Sequence, residues 1–252
     1  MDIKILVAAH KAYWMPEDDV YLPLQVGKAG KAALGYTGDD TGDNISSKNK
    51  QFCELTGLYW AWKNLQCEYI GLCHYRRYFA HKPKSDALED KQQAIFRRQD
   101  YEALLQKYDV LLPVKRNYYI ETVRSQYEHA HKKRDLDEVE QIIAELYPEY
   151  REAFKAVMGR RKLYILNMFV MKKALFDRYC QWLFAIEFEL EKRIDISGYD
   201  DYNARVFGFL SERLFNVWLE KEQLQVKEVQ VLNLEPVDWP KKIADFLKRK
   251  FC

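Results

Sequence analysis

Short, largely apolar runs alternate along this chain with longer segments that are apolar on one face only. The first run, Ile3–Ala9, ends in His10 and Lys11, which is typical of a buried parallel strand whose carboxyl end opens into a polar loop. The same kind of run predicts further strands at residues 69–73, 110–113, 163–171 and 226–234.

Between these runs, apolar side chains recur at helical spacing. Residues 49–65 predict one amphipathic helix and residues 125–157 another. Their apolar faces are formed by Phe52, Leu55, Leu58, Tyr59 and Trp62 in the first and by Leu136, Val139, Ile142, Ile143 and Leu146 in the second. Further helices are predicted in the second half of residues 80–107, over 173–194 and over 200–222. This alternation predicts an α/β fold in which helices cover both faces of a mixed or parallel sheet.

The composition is that of one globular domain. With 252 residues, 48% of them hydrophobic, the chain can bury one sizeable core, and we expect a single domain over residues 1–252. A formal net charge of +2 argues against a nucleic-acid-binding protein. The five cysteines show no CxxC spacing, so we expect reduced thiols, no metal site and a cytoplasmic location.

Any contact with a membrane is expected to be peripheral. No apolar segment approaches the roughly 20 residues of a membrane span, and the first apolar run is too short for a signal peptide. Residues 239–252 mix basic and bulky apolar side chains, as an interfacial helix does. We expect this tail either to lie on the inner face of the cell membrane or to pack as a C-terminal helix with a solvated basic face.

Polar residues follow the predicted strands at three places: His10 and Lys11, the cluster 74–77, and Asn167. The ends of neighbouring strands meet in one crevice of an α/β sheet, so the clusters can form a single site, although each alone could be an ordinary strand-to-loop transition. Among them, His74, Arg76 and Arg77 offer positive charge and forked donors suited to a diphosphate. Strand alternation puts Arg76 on the face of His74, so we expect Arg76 to be the functional arginine.

The glycine-rich segment 27–49 has the composition of a functional loop. Its acidic and amide side chains resemble cation ligands, but they lack the spacing of a calcium loop, and turns or a helix cap explain them as well. We expect Asp43 and Asn44 to be available to a ligand.

Four motifs carry a resemblance to a known family. They are GDNISSKNKQFCELTGLYWAWKN at 42–64, GLCHYRRYF at 71–79, NMFVMKK at 167–173 and GFLSERLFNVWL at 208–219. In this order they resemble the bacterial capsular and O-antigen polysaccharide glycosyltransferases long catalogued as a domain of unknown function, some of which are galactofuranosyltransferases. The resemblance extends from the first predicted strand to the last predicted helix.

The resemblance implies a GT-A type fold, which is Rossmann-like, and transfer of a sugar from a UDP-sugar to a lipid-linked oligosaccharide. The implied donor is UDP-galactofuranose, and the implied process is capsule, O-antigen or exopolysaccharide biosynthesis. Ordinary GT-A enzymes carry an Asp-x-Asp metal motif after the strand that here ends in His74-Tyr75-Arg76. Its absence leaves a requirement for Mn²⁺ or Mg²⁺ open and suggests that His74 and Arg76 replace the charge of the cation.

Inverting sugar transfer needs a carboxylate to accept the proton of the acceptor hydroxyl, and Asp200, Asp201 and Glu212 are the candidates. Each also has a structural interpretation, because Glu212 could pair with Arg213 along a helix and the aspartates could favour a helix N-terminus. The order of the motifs resembles that of other GT-A enzymes, which favours Asp201 over Glu212.

These residues divide into three expected groups. We expect His10 and Lys11 near the nucleotide, His74, Arg76 and Arg77 near the diphosphate, and Asn167 with Asp200 or Asp201 near the transferred sugar. The alternative is a non-catalytic subunit of a polysaccharide assembly complex that binds a nucleotide-sugar or a glycan in the same crevice. Exchange of Asp201 or Glu212 for alanine distinguishes the enzyme from the binding protein. The binding protein would keep its affinity and would show no turnover before or after the exchange.

Overall fold

The computed structural model describes residues 1–235, so the predicted tail at 239–252 lies outside the described residues. The strands are β1 Ile3–Ala9, β2 Tyr21–Gln25, β3 Thr37–Gly38, β4 Tyr69–His74, β5 Arg77–Phe79, β6 Val110–Pro113, β7 Arg116–Asn117, β8 Lys162–Leu163, β9 Phe169–Lys172, β10 Val226–Val229 and β11 Val231–Asn233. The α-helices are α1 Asn49–Phe52, α2 Leu55–Asn64, α3 Leu88–Ala94, α4 Arg98–Leu105, α5 Val123–Ala130, α6 Lys133–Leu146, α7 Arg151–Met158, α8 Lys173–Arg193 and α9 Val206–Glu222. Short 3₁₀ helices lie at Ser46–Lys48, Pro148–Tyr150 and Asn203–Arg205. Across residues 1–235, no helix combines the length and the hydrophobicity that crossing a bilayer requires.

A mixed sheet with the strand order β10-β6-β9-β4-β1-β2-β3 forms the centre of the molecule. Strand β1 is parallel to β2 and β4, whereas β9 is antiparallel to β4 and β6. Side chains of β1 alternate between two cores, with Leu6 and Ala8 in one and Ile5 and Val7 in the other. Helices α2 and α5–α9 contribute to the first core and α4 to the second. The predicted α/β fold, a mixed sheet flanked by helices, is therefore confirmed.

The helix predicted over residues 49–65 is broken in two at Cys53. This residue has a φ of 52°, which ends α1, and α2 begins at Leu55. The Asn49 side-chain amide donates to the Cys53 carbonyl over 2.7 Å and holds this conformation. The break turns residues 53 and 54 towards the sheet edge, which a continuous helix would not do.

The helix predicted over residues 125–157 is three helices, α5, α6 and α7. The chain is extended at His131, and Pro148 disfavours a helical Tyr147, so neither junction continues the helical turn. Leu146, predicted on the apolar face, is 46% exposed, because α6 ends at this residue and the chain turns away.

Two of the predicted strands are interrupted. Residues 163–171 contain a turn with positive φ at Leu166 and Asn167, which separates β8 from β9. Residues 226–234 form β10, parallel to β6, and β11, antiparallel to β5. Strand β2, with Pro23 inside it, was not predicted from the sequence.

Exchange of Gly71 for alanine should destabilise the protein by about 1–3 kcal/mol, because the added methyl group overpacks the centre of the sheet. A Cβ atom at Gly71 would lie 2.7 Å from the Phe169 carbonyl oxygen and 2.9 Å from the Ile5 Cδ1 atom. Urea denaturation measures this loss. Gly198→Ala is the matched control, since a Cβ there meets nothing within 4 Å, and its free energy of unfolding should change by less than about 0.5 kcal/mol. Equal stability of the two variants would contradict this packing.

Candidate active site

A cavity of about 420 Å³ opens at the sheet edge where β1 and β4 end. These strands are parallel, so their carboxyl ends meet there. The turn before β9 reaches the same edge because β9 is antiparallel to β4. The cavity wall brings together five of the residues predicted from the sequence, namely His10, His74, Arg76, Arg77 and Glu212.

Both arginines face the cavity, contrary to the prediction from strand alternation. Strand β4 ends at His74, which pairs with Arg77 across a tight turn at Tyr75 and Arg76, so alternation does not continue through this segment. Arg76 Nη1 forms an ion pair with Glu235 at 2.6 Å. Arg77 forms neither a hydrogen bond nor an ion pair through its guanidinium among residues 1–235, and its burial, with Arg76 nearby, lowers its pKa. An anion in the cavity could accept hydrogen bonds from the guanidinium groups of both Arg76 and Arg77.

His10 and Lys11 lie at the mouth of the cavity, although only His10 forms part of its wall. The His10 ring meets Tyr75 edge to face with 5.2 Å between centroids. Burial, Arg76 and Lys11 lower the pKa of His10. The Lys11 ammonium lies 5.6 Å from the centroids of both Tyr13 and Tyr75. Positive charge is thus concentrated around this mouth.

A turn in an uncommon backbone conformation forms one side of the cavity. Leu166 and Asn167 have φ angles of 78° and 50°, values that side-chain-bearing residues rarely adopt. His74 Nε2 donates to the Leu166 carbonyl over 2.7 Å, and the Leu166 amide donates to Glu212 Oε1 over 2.8 Å. Burial lowers the pKa of His74. His74 and Glu212 therefore hold this turn from both sides, as is common for strained backbone at functional sites.

Asn167 lies behind the cavity wall, where its side chain is buried. Its amide nitrogen donates to Glu54 Oε1 over 2.8 Å and to Ser211 Oγ over 3.0 Å. Glu54 itself lines the cavity. Asn167 thus positions a carboxylate at the site, whereas contact between Asn167 and a sugar stays a prediction.

Glu212 is the candidate base that lies in the cavity. Its side chain is 20% exposed, it lies 3.1 Å from Arg213 Nη1, and burial raises its pKa. It also lines a second cavity, of about 230 Å³. The ion pair with Arg213 predicted from the sequence is present, but the carboxylate remains accessible from both cavities.

Asp200 and Asp201 line neither cavity. Asp200 accepts hydrogen bonds from the Tyr202 and Asn203 amides, which lower its pKa, and thus caps the turn that leads into α9. The helix predicted from residue 200 accordingly begins only at Val206. Asp201 is 92% exposed and pairs with Lys50 at 3.0 Å. This arrangement favours Glu212 over Asp201, the reverse of the preference from the sequence.

The acidic loop is organised around Asp39, not around the two residues selected from the sequence. Asp39 is buried and accepts from the amides of Gly27 and Lys28 and from the Ser46 hydroxyl. Asp43 accepts from Tyr59, and Asn44 caps the turn at Ser46; neither lines the cavity. Among residues 1–235, no group of three or more His, Cys, Asp or Glu side chains is arranged to hold a metal ion.

Further cavity residues were missed in the sequence, namely Asn49, Lys50, Cys53, Glu54, Tyr75 and Arg205. Glu54 had a detectable signal, since it is the only charged residue between positions 52 and 62 of an apolar segment. Cys53 had no such signal in the sequence, because the positive φ that turns it towards the cavity depends on its contact with Asn49. Its thiol accepts a hydrogen bond from Arg205 at 3.2 Å, and burial raises its pKa to about 11.

Comparisons with known proteins agree with this architecture. A family model described as a domain of unknown function, DUF4422, matches residues 4–223. The apo structure of WbbM, a bifunctional glycosyltransferase, is similar with a TM-score of 0.87 and 34% sequence identity, over 94% of this chain and 46% of that one. The chain therefore spans less than half the length of WbbM. No curated protein sequence matches the chain.

Proposed function

Because the chain belongs to the DUF4422 family and shares its fold with part of a glycosyltransferase, we propose that it is a glycosyltransferase of the GT-A type acting in bacterial polysaccharide biosynthesis. The proposed donor is a UDP-sugar, with UDP-galactofuranose as the candidate. The proposed acceptor is a lipid-linked oligosaccharide at the cytoplasmic face of the membrane.

The observation that carries this proposal is the pair of arginines in the cavity wall. Arg77 is half-buried and lies near Glu54, Glu212 and Glu235, but its guanidinium forms no hydrogen bond or ion pair with a carboxylate among residues 1–235, so its forked donors can bind a ligand in the cavity. Arginine binds phosphate oxygens through two parallel donors. A nucleoside diphosphate supplies the oxygens and charge that Arg76 and Arg77 can bind.

The proposed reaction is a displacement in the same cavity. With the diphosphate at Arg76 and Arg77 and the nucleotide towards His10 and Lys11, the transferred sugar would face Glu212. The acceptor oxygen forms a bond to the anomeric carbon while the bond from that carbon to the diphosphate oxygen breaks. Its electron pair stays on the leaving diphosphate, whose negative charge the arginines stabilise. Glu212 accepts the proton of the acceptor hydroxyl.

We propose that this transfer does not depend on a divalent cation. The strand that ends at His74 is not followed by an Asp-x-Asp motif, and the two arginines can supply the charge compensation that a cation gives in ordinary GT-A enzymes. The non-catalytic alternative shares the diphosphate site and leaves Glu212 only its contacts with the Leu166 amide and Arg213, whereas an enzyme also uses its partly exposed carboxylate as the base.

Saturating UDP should raise the melting temperature by about 5–10 °C, since ligand at about 100 times its Kd stabilises the folded state by about 2.7 kcal/mol. Differential scanning fluorimetry with UDP, GDP, CMP and TDP, each with manganese or with chelator, measures the shift. We expect the largest shift with UDP and the same shift in chelator. Absence of a shift with every nucleotide would contradict the donor site and favour a glycan-binding protein. A melting-temperature shift that requires manganese would contradict only the proposal that the reaction is independent of metal, and the donor site would stand.

A further inference from the structure

The second cavity, of about 230 Å³, adjoins the donor cavity through Glu212, which lines both. It lies beside α5, the segment before β9 and the start of α9, which contribute Gln126, Ile165 and Phe209 to its wall. It is separate from the arginine pair of the donor cavity. A group bound here would lie beside Glu212, which the donor cavity also reaches.

One wall of this second cavity is aromatic. Tyr202 is 45% exposed, and its ring is nearly parallel to that of His131, with 5.5 Å between centroids and 15° between planes. The Phe209 ring lies 5.0 Å from Tyr202 and 4.2 Å from His131. Such rings offer a negatively polarised face and a large apolar surface. The C–H groups on one face of a pyranose or furanose ring are apolar and weakly positive, so they match this surface.

The other part of its wall is polar and partly charged. Arg213 is 3% exposed, donates to Gln126 Oε1 over 2.7 Å, and has no hydrogen-bond partner for its Nε among residues 1–235. Glu121 is 9% exposed and lies 2.6 Å from His129 Nδ1. The wall therefore presents donors and acceptors side by side. The cavity is lined by two arginines, Arg116 and Arg213, and two carboxylates, Glu121 and Glu212, so its charges balance. A neutral ligand whose hydroxyl groups both donate and accept matches such a wall better than a charged one.

We propose that the second cavity is the acceptor subsite and binds a neutral sugar residue, with the sugar ring against the aromatic residues, its hydroxyl groups towards the polar residues and its reacting hydroxyl directed at Glu212. This inference rests on the proposed function. The proton of that hydroxyl passes to Glu212 while its oxygen bonds to the anomeric carbon presented from the donor cavity. Tyr202 is a binding residue that recognises the sugar ring and takes no part in proton transfer.

Saturation-transfer difference NMR with octyl glycosides of galactose, glucose and N-acetylglucosamine, in the presence of saturating UDP, tests this subsite directly. We expect saturation of the sugar-ring protons of at least one glycoside. The Tyr202→Ala variant should weaken its binding about tenfold, and Tyr202→Phe should restore most of it because the ring is retained. Tyr119→Ala is the matched control, since Tyr119 is 74% exposed and lines neither cavity, and it should bind as the wild type does.

Several results would overturn the subsite. They are saturation confined to the octyl chain, no saturation from any glycoside, unchanged binding in Tyr202→Ala, or equal loss in Tyr119→Ala. The melting-temperature shift with UDP is recorded for each variant and should be unchanged. If UDP raises the melting temperature of the wild type but no sugar ring binds, the acceptor subsite fails and the proposed donor site stands. If UDP gives no shift, the proposed function itself fails.

Discussion

Exchange of Glu212 for glutamine should lower the rate of sugar transfer by about 10²–10⁴-fold, because a positioned general base contributes about this much. Glutamine keeps the volume of the side chain and an oxygen that can accept from the Leu166 amide, so the turn before β9 should be retained. It cannot accept the proton of the acceptor hydroxyl. Initial rates of UDP release with a saturating acceptor measure the effect, and the UDP-dependent melting shift should stay that of the wild type.

The matched control is Asp201→Asn. Asp201 is 92% exposed and contacts Lys50, so this exchange should change the rate less than twofold, in keeping with the small energetic value of exposed ion pairs. The reverse result, an active Glu212→Gln and an inactive Asp201→Asn, would assign the base to Asp201. Loss in both variants together with a lost UDP shift would indicate damage to the fold.

The pH dependence of the reaction gives a second test of the same residue. Burial raises the pKa of Glu212, so the acid limb of the pH–rate profile should lie above the ordinary carboxyl range. The limb should disappear in Glu212→Gln. The effect of Glu212 on folding stability has the opposite pH dependence to its effect on the rate. The contribution of the raised pKa to stability is fully present below the unfolded pKa of about 4.3 and is lost as the pH rises through the folded pKa.

Exchange of Arg77 for glutamine should lower kcat/KM for the donor by about 10²–10³-fold, the usual effect of removing one donor aimed at a developing negative charge. The melting shift with UDP should fall as well, because the diphosphate loses one of two guanidinium partners. Arg77→Lys should recover part of the loss, since it restores the charge but not the forked geometry. Steady-state kinetics over a series of donor concentrations separates these variants.

Without nucleotide, Arg77→Gln should melt at the same temperature as the wild type or higher. Burial and Arg76 lower the pKa of Arg77, so its charged form is disfavoured in the folded protein. Arg178→Gln is the control. The Arg178 side chain is 58% exposed and pairs with Glu222, and its exchange should leave both kinetics and UDP binding unchanged. Full activity in Arg77→Gln would remove the arginine pair from the mechanism.

The amino-acid sequence by itself determined the class of fold and the sheet edge at which the site lies. Buried strands such as Ile3–Ala9 and Val110–Pro113 coincide with the predicted runs, because a strand covered on both faces is apolar along almost its whole length. The polar residues that end such runs, His10 and His74, lie in one cavity because parallel strands end at a common edge. These features depend on local composition and on a general rule of α/β topology.

The tertiary structure decided which side chains reach that cavity. The tight turn after His74 brings both Arg76 and Arg77 to it, and the positive φ of Cys53 and Leu166 shapes its walls. The conformation of Cys53 depends on the Asn49 side chain one helical turn away, and that of Leu166 depends on His74 and Glu212, which are distant in sequence. The periodicity of the sequence cannot reveal such contacts. The same holds for Glu212 and Asp201. Each looked like a surface or helix-terminal acid in the sequence, and only the packing of α9 against the turn before β9 left Glu212 between two cavities while Asp201 remained in solvent.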